Sequence, residues 1–154
     1  MDSDEKTKKD EERSAKTVTA SELLFILAPL VILFFFRAIG GQLSGLLRWP
    51  EWSYSSVILF GQAIVKLASG ISKAAVPQRW QFTTLLFSLL VLFGLVPPAL
   101  MLGVIHMSPD FPLVVVILQI VWFVLSIAAF MTVGSVAQIL IDRFPSDSSE
   151  ARET

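Results

Sequence analysis

The sequence predicts an all-α integral membrane protein, a four-helix (tetraspan) bundle with both termini inside the cell. A short amphipathic interfacial element is expected after the first span. Three observations support this class. Residues 80–141 contain no Lys or Arg and one acidic residue, Asp110. Hydrophobic residues make up 54% of the chain and charged residues 16%, whereas soluble proteins average about 25% charged residues. Several apolar stretches also reach the roughly 20 residues that a bilayer core about 30 Å thick requires.

The expected organisation is a tail, a membrane domain and a second tail. Residues 1–17 carry six acidic and five basic side chains and are expected to form a charged, partly helical cytoplasmic tail. Its mixed sign argues against strong binding to anionic lipid or to nucleic acid. The membrane domain is expected over residues 18–143 and a disordered tail over 144–154. Within the membrane domain, the four spans are expected at about 20–39, 53–75, 81–104 and 111–141.

The first span is expected to begin near Ala20, because residues 19–22 read Thr-Ala-Ser-Glu and match a capping box. Arg37 lies at its far end and is expected to reach the headgroups. Apolar residues between positions 39 and 48 then follow helical spacing. The tryptophans Trp49 and Trp52 are expected to anchor this element at the interface.

Gly41 and Gly45 within that element form a G-x-x-x-G pair. The pair is consistent with close helix packing, but a simple turn back into the membrane is the favoured interpretation.

The second span is the ambiguous one, because its polar residues fall on one side of a helix. At 100° per residue these residues lie within about 60° of one another. We refer to them as the polar stripe: Ser55, Gln62, Lys66, Ser69 and Lys73. Such a helix either crosses the bilayer with the polar stripe turned inward or lies flat on the surface.

The distribution of basic residues favours crossing. With four spans, nine basic residues fall on the side of both termini and two on the other side, leaving Lys66 unassigned. With three spans the split is five to seven. The positive-inside rule therefore predicts four spans.

The last two spans differ from regular membrane helices in their prolines and in their length. Trp80 is expected to anchor the start of the third span at the interface. Pro97 and Pro98 remove two backbone donors and are expected to kink or unwind that span near its outer end. The fourth segment is longer than a bilayer requires and is expected to tilt or protrude.

Lys66 is the foremost candidate for function, because a lysine within a span costs roughly 2.5–3.5 kcal/mol on insertion scales. It either reaches the cytoplasmic headgroups or lines a polar cavity. Gln62 lies deeper and is expected to bond to another helix, with Gln119 or Ser126 as partner. Glu22 is expected to cap its helix, the alternative being an ion pair with a basic residue at position 73 or 79.

No catalytic residue, metal site or cofactor is predicted. The chain has no cysteine and one histidine, His106, whose only nearby carboxylate is Asp110. Two such groups are too few to bind a metal ion. No phosphate-binding or dinucleotide-binding motif occurs.

Two functions remain open. The first is a non-enzymatic membrane subunit, a scaffold, sensor or accessory protein, which self-associates or binds a partner through the polar stripe. The second is an oligomeric pore or membrane-perturbing effector lined by that stripe. An intramembrane enzyme is disfavoured. The expected partners are the lipid bilayer and a second copy or another membrane protein. The expected location is a bacterial inner membrane, because cysteine, glycosylation sites and a signal peptide are all missing from the sequence.

Overall fold

The computed structural model describes residues 2–41, 45–74, 80–108 and 111–143, and no strand occurs within them. The helices are α1 (Asp2–Ile39), α2 (Glu51–Ala74), α3 (Trp80–Leu89), α4 (Val96–Met107) and α5 (Leu113–Arg143). A 3₁₀ turn (Leu46–Arg48) precedes α2, and a π-helical segment (Leu90–Leu95) joins α3 to α4. The fold is the expected all-α four-helix bundle, in which α3, the π-helical segment and α4 form one continuous membrane helix. The expected C-terminal tail, 144–154, lies outside the described residues.

Four helices in the described part of the chain are long and apolar enough to cross a membrane. The segments are Arg13–Ile39, Glu51–Ser72, Thr83–Met107 and Leu113–Ile141. Their apolar surface is largely unburied within one chain, as expected where lipid rather than protein covers it. The protein is therefore a multi-pass membrane protein.

The expected helix start near Ala20 is wrong, because α1 is continuous from Asp2. The capping-box residues 19–22 lie inside the helix, where their backbone groups are already paired along it. The charged tail that precedes them is rich in Glu and Lys, which favour helix, at spacings that allow intrahelical ion pairs. The helix therefore extends through the motif.

The chain turns sharply after α1. Gly41 and Gly45 have φ angles of 68° and 85°, in the left-handed region that glycine adopts without steric cost. The turn interpretation of the G-x-x-x-G pair is thus confirmed. The 3₁₀ turn at Leu46–Arg48 is the described helical part of the expected interfacial element.

Helix α2 lies at the centre of the bundle. It packs most extensively on α5, and it also contacts the π-helical segment, α4 and α1. Residue pairs such as Ser53 with Gln119 and Gly70 with Ala137 show that α2 and α5 run parallel. The core cluster consists of Leu59, Ala63 and Phe130, and α1 covers it with Leu23, Ile26 and Leu27.

The third span is irregular where the two prolines lead us to expect it. The π-helical segment ends immediately before Val96, and Pro97 and Pro98 follow. Proline has no N–H to donate to the preceding turn, so regular α-helical bonding fails there. Gly94 lies within this segment and allows close packing, because a Cβ there would lie 2.6 Å from the Phe60 ring.

Candidate functional site

Lys66 forms an ion pair with Glu22 inside the membrane-spanning part of the bundle. Its Nζ atom also lies 5.3 Å from the centroid of the Phe130 ring, within cation–π range. The Lys66 Nζ and Glu22 Oε2 atoms are both buried, and neither bonds to a third described side chain. The partner of Glu22 is therefore Lys66 rather than the expected cap, and the lysine charge is compensated on α1.

A glycine on α5 makes room for this ion pair. A Cβ at Gly134 would lie 2.7 Å from Cγ2 of Thr19 and 3.5 Å from Cδ of Lys66. Thr19 is fully buried at this contact, and its hydroxyl has no hydrogen-bond partner among the described residues. Glu22 follows one turn after Thr19 on α1, so the close approach of α1 to α5 positions the carboxylate beside Lys66.

A second ion pair joins the same two helices near their other ends. Arg37 Nη2 on α1 lies 2.7 Å from Glu51 Oε1 on α2. The Arg37 guanidinium also stacks 4.3 Å from the centroid of the Trp49 ring. Fifteen residues separate the two charged positions on each helix, or about 22 Å at helical rise. The two ion pairs thus hold α1 antiparallel to α2 at both ends of the membrane segment.

The polar stripe divides into an inner and an outer part. Ser55 is buried and Lys66 is paired with Glu22, whereas Gln62 and Ser69 are exposed on the outside of the bundle. The Ser69 hydroxyl donates to the Val65 carbonyl of its own helix at 3.0 Å. The side chain of Lys73 lies outside the described part of the structure.

The expected bond from Gln62 to Gln119 or Ser126 does not form. Gln119 is fully buried and instead accepts a bond from the Ser53 hydroxyl at 3.5 Å. It also donates to the carbonyl of Leu47, so it joins α5 both to α2 and to the turn before α2.

Ser126 is fully buried, and its hydroxyl donates to the backbone carbonyl of Phe123 in its own helix at 2.7 Å. Gln62 makes no hydrogen bond with any described residue. It therefore remains an unpaired amide on the surface of the bundle.

The tryptophans that were expected to be anchors have specific protein partners. Trp49 is buried beneath Arg37. Trp52 donates its indole N–H to the Leu46 carbonyl at 2.8 Å and packs edge-on against Phe123. These contacts fix the turn before α2 in position, and the predicted interfacial role of both residues stays a prediction. Trp80 begins α3, and its side chain lies outside the described part.

Trp122 was not predicted from the sequence as a functional residue, but its indole N–H donates to the Phe93 carbonyl at 3.0 Å. In an α-helix this carbonyl would accept from residue 97, and in a π-helix from residue 98, and both are proline. Trp122 thus supplies the donor that Pro97 and Pro98 remove. The available signal was the spacing from Phe93 to these prolines, but only the fold identifies the replacement donor.

The one histidine, His106, contacts its own helix and α2. Nδ1 of His106 lies 3.0 Å from the Leu102 carbonyl, and its ring packs edge-on against Tyr54. Asp110 lies outside the described residues. No cluster of three or more potential metal-ligating side chains occurs among the residues that the structure describes.

The fold and the two ion pairs define a four-helix membrane protein whose charged side chains join its first two spans. No protein-family model, curated protein or solved structure matches the chain.

Proposed function

We propose that the protein is a non-enzymatic membrane subunit, a scaffold, sensor or accessory protein, that self-associates through an exposed face of α2. This face is here called the α2 outer face. The positions of its residues differ by four and by three in turn. They are Ile58, Gln62, Val65, Ser69 and Ser72, all exposed. Alternating spacings of three and four define the contact seam of a helix pair in a coiled-coil arrangement.

Gln62 is the observation that carries the proposal. It lies eleven residues after Glu51 and ten before Ser72, at the middle of the candidate span. A primary amide in hydrocarbon loses its hydrogen bonds to water, and an interhelical bond to such a group is worth about 1–2 kcal/mol in model peptides. The amide is both donor and acceptor, so Gln62 of one copy can bond to Gln62 of another across a two-fold axis.

The charges inside the bundle favour assembly over the pore alternative. Lys66 is paired with Glu22 in the same chain, which leaves Gln62, Ser69 and Ser72 as the polar groups on the α2 outer face. A lumen lined by Lys66 would require this ion pair to open and would leave Glu22 uncompensated. A seam that contains neutral polar groups requires no such change.

The location proposed with this function is a bacterial inner membrane with both termini in the cytoplasm. Four spans return the chain to its starting side, and the nine-to-two distribution of Lys and Arg favours that side as the cytoplasm. Reporter tags on the two ends should be accessible from the same compartment.

Cysteine crosslinking tests the proposal. The chain has no cysteine, so only an introduced cysteine can form a disulfide. Val65 on the α2 outer face and Val124 on α5 are the same residue type, 58% and 59% exposed. In native membranes, oxidation should join V65C chains into covalent dimers and leave V124C chains monomeric. Gln62→Leu should reduce the V65C crosslink several-fold.

Three results would contradict this proposal. Equal crosslinking of V65C and V124C would indicate random collision, and no crosslinking of V65C would show that the α2 outer face does not meet a second copy. Ion flux from purified protein in liposomes would instead support the pore alternative.

A further inference from the structure

A groove lies between the N-terminal part of α1 and the C-terminal part of α5, and none of its lining residues belongs to α2. It has a volume of about 400 Å³. Its lining is mostly apolar and consists of Lys16, Met131, Thr132, Ser135, Val136 and Ile139. The residues from α5 lie between positions 131 and 139, which are about 12 Å apart along the helix. The groove therefore offers an elongated apolar surface with a cation at its side.

Two polar groups in the groove have no partner among the described residues. Lys16 is exposed and forms no ion pair with any residue whose side chain is described. Ser135 is 8% exposed, and its hydroxyl makes no hydrogen bond to a described residue. The Thr132 hydroxyl, by contrast, donates to the Ala128 carbonyl at 2.8 Å. The Ser135 hydroxyl is not fully buried, so it can donate to an acceptor atom of a ligand in the groove.

The groove also has a definite position relative to the membrane. Lys16 lies near the start of the first apolar segment, Arg13–Ile39, and Ile139 lies near the end of the last, Leu113–Ile141. Lys16 and Ile139 therefore lie on the same side of the membrane as the N-terminus. Ser135 is six residues before Ile141, about 9 Å further into the bilayer. A ligand in the groove would have its charged end at the membrane boundary and its body in the apolar layer.

We propose that this groove binds an anionic phospholipid from the leaflet on the N-terminal side. Lys16 contacts the phosphate, Ser135 donates to an ester carbonyl, and one acyl chain extends deeper along Met131, four residues further into the bilayer than Ser135. The order of these groups along the groove matches the order of phosphate, ester and acyl chain in a phospholipid. Basic pockets between membrane helices bind anionic headgroups by the same electrostatic attraction. The proposal is independent of self-association through α2.

Native mass spectrometry of the full-length protein tests the site, with phosphatidylglycerol and phosphatidylcholine of identical acyl chains as probes. The protein should retain phosphatidylglycerol preferentially. Lys16→Gln should weaken its retention about fivefold, the effect expected for one basic residue near a membrane surface. Arg48→Gln is the matched control, since it removes one exposed positive charge at the other end of the bundle.

A second variant and a third probe distinguish the contribution of the acyl chain to binding from that of the headgroup. Val136→Trp fills the groove at an exposed position and should reduce lipid retention with Lys16 intact. Glycerol 3-phosphate should not compete, because it has no acyl chain. Equal retention of the two lipids, an unchanged Lys16→Gln variant or competition by glycerol 3-phosphate would each overturn the proposal.

Discussion

At the residue scale, one missing side chain determines how closely two helices approach. Gly134 gives α1 the space to bring Thr19 and Glu22 against α5 and Lys66. Small residues serve this purpose in membrane helices, since close packing replaces the hydrophobic effect that drives association in water. The ion pair between Glu22 and Lys66 therefore depends on a residue that has no charge.

Gly134→Ala should destabilise the bundle by about 1–3 kcal/mol, because the new Cβ would lie 2.7 Å from Cγ2 of Thr19. Gly61→Ala is the control, since it also lies in a helix and its Cβ would meet nothing within 4 Å. That variant should be neutral or slightly more stable. Thermal unfolding in a mild detergent gives the comparison.

Thr19→Ser identifies the cause, because it removes Cγ2 and keeps the hydroxyl. Combined with Gly134→Ala, it should restore most of the lost stability. If the double variant is as unstable as Gly134→Ala alone, the clash with Thr19 is not the reason for the loss, and this account of Gly134 is incorrect.

At the element scale, the third span tolerates two adjacent prolines because another helix replaces a missing donor. The Phe93 carbonyl has proline at both positions from which an α-helical or π-helical donor would come. The Trp122 indole on α5 supplies that donor at 3.0 Å. A backbone group left unpaired in lipid costs several kcal/mol, so this contact stabilises the irregular segment as well as joining two spans.

A double-mutant cycle tests this assignment. Trp122→Phe keeps an aromatic ring and removes the N–H, so it should cost about 1–2 kcal/mol in the parent chain. In a Pro97→Ala background the residue at 97 regains a donor for the Phe93 carbonyl, and Trp122→Phe should cost distinctly less. Unfolding free energies of the four chains give the coupling. Additive effects would show that Trp122 and Pro97 act independently.

The elements were largely predictable from the sequence, and their pairings were not. Apolar length and the positions of basic residues predicted four spans, and Pro97 with Pro98 predicted the irregular third span. The start near Ala20 failed because a capping box is a local pattern that also occurs inside a longer helix. The partner of Gln62 was wrong because spacing gives the face of a helix but not which faces the bundle covers. Glu22 and Lys66 are 44 positions apart, and only the antiparallel packing of α1 on α2 brings them together.

At the scale of the whole molecule, two ion pairs fix the register of α1 against α2, and the acid and the base exchange helices between the two pairs. Helix α1 contributes the acid to one pair and the base to the other, and α2 provides the complements. The numbers of the two paired residues add to 88 in each case, as they must in an antiparallel pair with one register. A shift of one helix by a single turn would separate both pairs and leave Glu22 and Lys66 uncompensated within the membrane segment.

A one-residue insertion tests whether this register organises the fold. An alanine inserted after Val31 rotates the rest of α1 by about 100°, so that the ion pairs at Glu22 and Arg37 cannot both form. This chain should unfold at a clearly lower temperature or fail to accumulate in membranes. The control is an alanine inserted between residues 41 and 45, outside α1 and α2, which keeps the spacing of Glu22 to Arg37 and of Glu51 to Lys66. Equal stability of the two insertion variants would mean that α1 is held by apolar packing alone and that the ion pairs do not set its register.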